Sequence, residues 1–355
     1  KYNYRRGNGS FWSDFRFGFD DQELIHLRHG NRAAVVPGGD PWAGRAYPQA
    51  PTGAMAEAVG RTPVELLVRS KGYFAFMEPV HIELRIRNTS DLPLELDTQL
   101  QPEYGNIVIY IQRPDGRILQ YVPVLYKLAT PHFQILEVGQ QGLEGADRYS
   151  QNVLVSYGKH GHYFDSPGQY LVRGVFQGAG DLLITSPIHR LRIGHPLSRE
   201  EERMAQDYFS HEAGLALYLD GSSSPFLQRG MSTLQAMTDR FRKSPVGALL
   251  SLVLARNLGE PFHRIENGRL VKYRGAEPQE ALALTDQALK QQQRDKTTFT
   301  NLTYHELRRS RAELMLAMGA VGAARRELWS LIRVLKKQGV NEPILDEIRA
   351  YAKSL

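Results

Sequence analysis

Cysteine is absent from this chain of 355 residues. Its absence excludes disulfide cross-links, thiolate zinc sites and cysteine nucleophiles, but it does not fix the compartment. Long apolar runs are absent too, because none approaches the roughly 20 residues that cross a bilayer. The longest, residues 246–258, is interrupted by Ser251 and Arg256. We therefore expect a buried helix there and no membrane-spanning segment.

The motifs of common catalytic and nucleotide-binding sites are also missing. The chain has no G-x-S-x-G nucleophile elbow, no Walker loop and no G-x-G-x-x-G that follows a strand and opens a helix. Its net charge of +6 permits anionic partners. However, the basic residues near the C-terminus alternate with Glu306, Glu313 and Glu327, as on a solvated helix face. These observations favour a protein that is not an enzyme, leave catalysis open, and argue against nucleic-acid binding.

The middle of the chain alternates apolar and polar residues. Between Val80 and Arg87 every second side chain is apolar, which is typical of a half-buried antiparallel strand. Turn sequences such as Pro114-Asp115-Gly116 separate similar segments. Strands are expected at about 64–69, 80–88, 92–97, 106–113, 117–122, 150–156, 169–177 and 182–193. We therefore predict an antiparallel β-sandwich over residues 64–194.

The apolar spacing becomes helical at residue 198. Ser198 and Glu201 form an S-x-x-E capping box, and the helix that they start is expected to reach about Leu219. Further helices are predicted from Ser224-Pro225 onward and near 245–258, 278–293, 301–318, 321–338 and 343–353. The predicted fold class is thus a multi-domain β plus α protein, with an α-helical domain of hairpins or a bundle over residues 195–355.

Residues 1–63 differ from both predicted domains. Aromatic residues crowd between Phe11 and Phe19, and residues 37–63 are rich in proline and glycine. We expect an aromatic arm that packs on a domain or on a missing neighbour, followed by a linker. Because the chain begins at Lys1, we expect a processed form or a fragment of a longer polypeptide. The compartment is unknown, and an exported or cell-surface bacterial location stays open.

Two stretches resemble known families. Glu78-Pro79-Val80 before a strand that ends at Asn88, Pro114-Asp115-Gly116, and Phe164-x-x-Pro167-Gly168-x-Tyr170-x-Val172 resemble bacterial immunoglobulin-like sandwiches, such as the intracellular proteinase inhibitor family of Bacillus. This resemblance implies an immunoglobulin-like fold for about a third of the chain.

The second resemblance lies near the C-terminus. Between Tyr304 and Gln338, small and large residues follow the spacing of a tetratricopeptide-like helical hairpin, at Ala312, Met315, Gly319, Ala324 and Leu328. Stacked hairpins of that kind form a groove that holds peptides. A generic helical bundle is the alternative interpretation of the same pattern.

Two histidine pairs are the candidate metal ligands. His160 and His162 lie two residues apart in an expected hairpin loop, and His26 and His29 lie three apart on a predicted short helix. Paired imidazoles can bind zinc or copper, but a site needs further ligands. A polar loop and an ordinary helix face are the alternative interpretations.

The sequence therefore predicts a non-catalytic protein-interaction or accessory module, part of a larger bacterial protein or complex, with a protein partner and no cofactor. Two alternatives remain. The histidine pairs would serve a metal-linked accessory region of a metalloenzyme, or the helices would form a peptide-binding groove. A small-molecule ligand is not identified.

Overall fold

The computed structural model describes residues 63–127, 132–139, 147–178, 183–266, 269–337, 340 and 342–355. The arm and linker predicted over residues 1–63 lie outside these ranges except for Pro63, and His26 and His29 lie outside them as well. Within the described residues, strands dominate the first half and helices the second. The β-then-α arrangement expected from the sequence is thus confirmed.

The β half contains two principal sheets. Its strands are β1 (Val64–Arg69), β2 (Tyr73–Phe74), β3 (His81–Asn88), β4 (Leu94–Asp97), β5 (Ile107–Gln112), β6 (Ile118–Tyr121), β7 (Phe133–Leu136), β8 (Arg148–Leu154), β9 (Tyr157–Gly158), β10 (Gly161–His162), β11 (Gly168–Gln177), β12 (Leu183–Thr185) and β13 (His189–Ile193). One sheet has the order β1-β3-β8. The other has the order β2-β13-β11-β5-β6, and β12 also pairs with β11.

Strand pairing is antiparallel with one departure from the expected pattern. Leu66 of β1 lies opposite Ile86 of β3 in the antiparallel register. In contrast, β2 runs parallel to β13, with Tyr73 opposite Arg192. The chain thus leaves the first sheet after β1 and joins the edge of the second sheet at β2.

One apolar core joins the two sheets. Ile82, Leu84 and Ile86 are fully buried, as their alternation predicted, and they share a cluster with Ile109 and Val172 of the second sheet. Burial of each such side chain contributes roughly 1.5–3 kcal/mol to folding. The polar residues between them, beginning with His81, therefore lie on the opposite face of β3.

The helices of the second half are α1 (Arg199–Tyr208), α2 (His211–Tyr218), α3 (Gln228–Arg240), α4 (Pro245–Gly259), α5 (Pro278–Arg294), α6 (Asn301–Ala317), α7 (Val321–Lys337) and α8 (Glu342–Ser354). Ser198 caps α1 as predicted, because its Oγ accepts a hydrogen bond of 3.1 Å from the Glu201 amide. No helix in the described part of the chain combines the length and apolarity needed to cross a membrane.

The helix expected over residues 198–219 is two helices instead of one. α1 ends at Tyr208, and Ser210 begins α2 by accepting a hydrogen bond of 3.3 Å from the Ala213 amide. A serine hydroxyl competes with the regular helical pattern and favours such a cap. The helix predicted from Ser224 likewise begins with a 3-10 turn, Pro225–Leu227, before α3.

A β-hairpin interrupts the helical half. β14 (Phe262–Glu266) and β15 (Arg269–Arg274) pair antiparallel between α4 and α5, where no strand was predicted. Arg274 anchors the hairpin, because its guanidinium donates to the main-chain carbonyls of Glu260 and Gly275 at 3.0 and 2.6 Å.

The residues that carry the tetratricopeptide resemblance lie close together. Ala312, Met315, Ala324 and Leu328 share one buried cluster. Gly319 joins α6 to α7 with φ at 78°, a conformation that glycine adopts without strain. The two helices also share an ion pair, in which Arg308 Nε donates to Glu327 Oε1 at 2.7 Å.

Candidate functional site

The predicted metal ligand His162 lies where the β half meets the helical half. The seam, as we call this contact, consists of Tyr157 and His162 from β9 and β10 packed on Tyr208, Phe209, His211 and Gly214 from the α1–α2 region. Tyr157 and His162 have ring centroids 4.9 Å apart. The seam is therefore a compact aromatic contact between the two halves of the chain.

Hydrogen bonds fix the two rings of the seam. The Tyr157 hydroxyl lies 2.6 Å from His211 Nδ1, and His162 Nε2 lies 3.2 Å from the Ser210 carbonyl oxygen. Since a carbonyl oxygen can only accept, His162 Nε2 carries the hydrogen and donates it. A metal ion at this nitrogen would have to displace Ser210.

Burial lowers the pKa of His162 to about 4, an effect that the Ser210 carbonyl and Asp165 partly oppose. The ring is therefore neutral near pH 7. Its loop partner His160 is exposed. No group of three His, Cys, Asp or Glu residues that could hold a metal occurs within the described ranges. Zinc or copper binding by the two histidine pairs stays a prediction.

Polar contacts extend the junction of the two halves along β3 and β8. Asn152 of β8 donates to the hydroxyls of Thr300 and Thr303 at 3.2 and 2.8 Å. Nearby, burial and Arg256 lower the pKa of His81 to about 4. The face of β3 that the alternation pattern predicted to be in water is thus partly covered by the helical half.

The connection between β2 and β3 also enters the helical core. Met77 is buried among helix residues such as Met237 and Leu250, and its φ is 64°, which is uncommon for a residue with a side chain. Beside it the buried Glu78 pairs with Lys71, and burial raises the pKa of the Glu78 carboxyl. A left-handed residue is maintained only where the surrounding contacts hold it, so this connection is well fixed.

The Tyr157→Phe variant should lose about 1 kcal/mol of unfolding free energy, because a buried hydrogen bond to His211 disappears while the ring packing remains. Urea denaturation followed by far-UV circular dichroism measures the change. Tyr273→Phe is the matched control, since the Tyr273 ring is exposed on the β14–β15 hairpin. Equal stability of the two variants would show that the hydroxyl of Tyr157 contributes nothing.

The second candidate site consists of two small strand pairs with exposed apolar residues. We define the acidic ribbon as β4 and β7 with Asp91, Leu92, Glu95, Phe133, Ile135 and Glu137. Phe133 is 52% and Ile135 62% exposed, and Glu95 lies opposite Ile135. Leu96 and Leu136 on the other face are buried in the core that the two principal sheets share. The inner face therefore fixes the ribbon, while Phe133 and Ile135 on its outer face are exposed.

The counterpart in the helical half is the basic hairpin, β14 and β15 with Arg264, Arg269, Leu270, Val271, Lys272 and Tyr273. Leu270 is 55% and Tyr273 51% exposed. The Arg264 guanidinium lies 4.8 Å from the centroid of the Tyr273 ring, which keeps the cation on the aromatic face. Along β15, successive side chains are exposed on both faces of the hairpin.

Sequence reasoning missed the basic hairpin although a signal was present. Asn267-Gly268 stands between two segments that each contain one β-branched and one aromatic residue, and an Asn-Gly pair between strand-forming segments is typical of a hairpin. The acidic ribbon was anticipated only in part, as a strand at 92–97, because no strand was predicted between residues 122 and 150, where its partner β7 lies.

No protein-family model and no curated protein matches the chain. Among solved structures, a β-glucosidase from Listeria innocua in complex with isofagomine is 16% identical, with 48% of this chain and 21% of that chain covered and a TM-score of 0.22. The chain thus spans about a fifth of that enzyme.

Two further structures show the same low level of similarity. An alkylpurine DNA glycosylase from Pseudomonas fluorescens, bound to DNA containing an abasic site analogue, is 13% identical over 38% of this chain and 31% of that chain, with a TM-score of 0.20. Native alpha-2-macroglobulin from Escherichia coli is 11% identical over 82% and 55%, with a TM-score of 0.21. None of these similarities bears on fold or function.

Proposed function

We propose that the chain is a non-catalytic protein-interaction module, an accessory part of a larger bacterial protein or complex. In this proposal the β half is an immunoglobulin-like sandwich and the helical half a tetratricopeptide-like or bundle domain. The observation that carries the proposal is the exposure of large apolar side chains on two fixed strand pairs, the acidic ribbon and the basic hairpin. Clustered apolar side chains on a surface are characteristic of protein contacts.

The junction between the two halves supports the same function. The seam, the Asn152 contacts with α6 and the buried Met77 connection attach the sandwich to the helices at three places. A rigid scaffold lowers the entropy lost when a partner binds. Two strand pairs held on such a scaffold would therefore bind a partner with little rearrangement.

Site-specific photo-crosslinking in cells that make the protein tests this function. A photoreactive phenylalanine replaces Phe133 in the acidic ribbon or Tyr273 in the basic hairpin, and the exposed Ala236 on α3 is the control position. We expect discrete products of higher mass from the two strand positions, containing either another protein or a second copy, and none from the control. Only uncrosslinked chain at both strand positions would overturn the proposal.

A further inference from the structure

The two exposed strand pairs carry opposite charge. Every charged side chain of the acidic ribbon is a carboxylate, at Asp91, Glu95, Asp97 and Glu137. The cations of the basic hairpin are the exposed Arg269 and Lys272 and the half-buried Arg264. The same chain therefore presents an apolar and negative surface on its β half and an apolar and positive surface on its helical half.

Four charged side chains of the two surfaces form no ion pair within the described part of the chain. Neither Glu95 nor Glu137 forms an ion pair with any side chain that the structure describes, and the same holds for Arg269 and Lys272. Arg274, in contrast, is already bound to main-chain carbonyls and to Glu277. The outer charges of the hairpin are thus separate from the arginine that anchors it.

We propose that the basic hairpin of one copy docks on the acidic ribbon of a second copy of this chain. This inference rests on the proposed function and names the partner. Contact between the two surfaces would cover Phe133, Ile135, Leu270 and Tyr273, all at least half exposed in the single chain. It would also place Lys272 and its neighbouring cations against Glu95 and Glu137, which favours this orientation over others.

The two contacting surfaces differ, so the association is heterologous. After one contact forms, each end of the pair still presents one free surface, and growth continues until a ring closes or a filament forms. Because the charges are exposed, the attraction is screened by salt beyond roughly 10 Å at 0.1 M. Assembly should therefore increase with protein concentration and decrease with ionic strength.

Charge-reversal variants test this docking. The association of the whole chain is measured by sedimentation velocity over a range of protein concentrations, at low and at high salt. Glu95→Lys and Lys272→Glu each place like charges in the contact. We expect each single variant to associate at least tenfold more weakly than the unaltered chain. The double variant restores opposite charges, and so does a mixture of the two single variants. Asp239→Lys on α3 is the matched control for Glu95→Lys, because it makes the same charge change at an exposed helix position.

The outcomes separate this inference from the proposed function. Concentration-dependent mass that the single variants lose and the double variant regains supports docking between copies. Far-UV circular dichroism must show that each variant is folded. A chain that stays monomeric at every concentration, or single variants that associate like the control, would overturn the inference. If the photo-crosslinks then contain only a different protein, the interaction function stands and the partner is not a second copy.

Discussion

Replacing Gly214 by alanine should lower the free energy of unfolding by about 2 kcal/mol, although alanine is the better helix former. A Cβ at this position of α2 would lie 2.1 Å from Tyr157 Cδ2 and 2.7 Å from His162 Nε2. Tyr157 is buried and its hydroxyl is held by His211, so its ring cannot move aside. Overpacking of this kind costs about 1–3 kcal/mol, which exceeds the gain of at most about 1 kcal/mol from helix propensity.

The effect should appear locally as well as globally. Hydrogen exchange of the amides between residues 156 and 163 should become faster in Gly214→Ala, because β9 and β10 pack directly on α2 at the seam. Gly322→Ala in α7 is the matched control. A Cβ there comes no closer than 3.6 Å to the Arg326 side chain, and this variant should be as stable as the unaltered chain or slightly more so. A Gly214→Ala protein of unchanged stability would mean that the seam is looser than the structure indicates.

Short-range patterns in the sequence predicted the elements that depend on local rules. The alternation from Val80 to Arg87 correctly assigned the buried face of β3, because a strand with one dry face must place apolar residues at every second position. The Ser198 cap was equally readable, since a serine before a helix satisfies a free amide. The order of sheets and helices followed from the change of period at residue 198.

Contacts between distant residues were not readable from these patterns. Alternation places His81 on the wet face of β3, but it does not show that Arg256 and the helical half cover that face. The break at Ser210 was hidden because apolar residues continue at helical spacing on both sides of it. Pairing of β2 with β13 joins residues more than a hundred positions apart, for which a single sequence carries no local signal.

The candidate site likewise combines features that local sequence predicts with contacts that it does not. His160 and His162 were selected because two imidazoles stand two residues apart. In the structure one is exposed and the other donates to Ser210. The roles of Tyr157 and Gly214 emerge only when β9 and α2 are brought together, because neither residue type is unusual in its own segment. The exposed basic hairpin, in contrast, could have been predicted from the Asn267-Gly268 pair.

Lowering the pH from 6.5 toward 4 should destabilise the protein, with His81 and His162 as the principal cause. Burial lowers the pKa of each ring from 6.5 to about 4. As the pH falls, each ring therefore binds a proton in the unfolded chain before it does so in the folded protein. The free energy of unfolding that depends on the two rings being neutral is fully present above pH 6.5, and it is lost as the pH falls toward 4. Each histidine can contribute at most about 1.4 kcal/mol per pH unit within that window.

Neighbouring charges modify the two contributions in different ways. Around His162, Asp165 raises and His211 lowers the pKa. Around His81, Arg256 and Lys71 lower it and Asp220 raises it. Glu78 acts in the opposite sense, because its raised pKa makes the folded state gain stability as the pH falls through that pKa toward 4.5. His189 acts in the same sense as His81 and His162, because burial lowers its pKa as well. The net slope of the unaltered chain therefore differs from the sum of the His81 and His162 terms.

The His162→Gln variant isolates the contribution of His162 to the pH dependence, because glutamine can still donate a hydrogen bond toward Ser210 but does not titrate. Unfolding free energies from urea denaturation at pH 7, 6, 5.5 and 5 should fall less steeply in this variant, by about 1 kcal/mol per pH unit. His160→Gln is the control on the same hairpin. Its side chain is exposed, so this variant makes the same change of residue type without altering the seam. If His162→Gln and His160→Gln give the same slope, the ring of His162 titrates in the folded protein as it does in water, and the seam admits solvent.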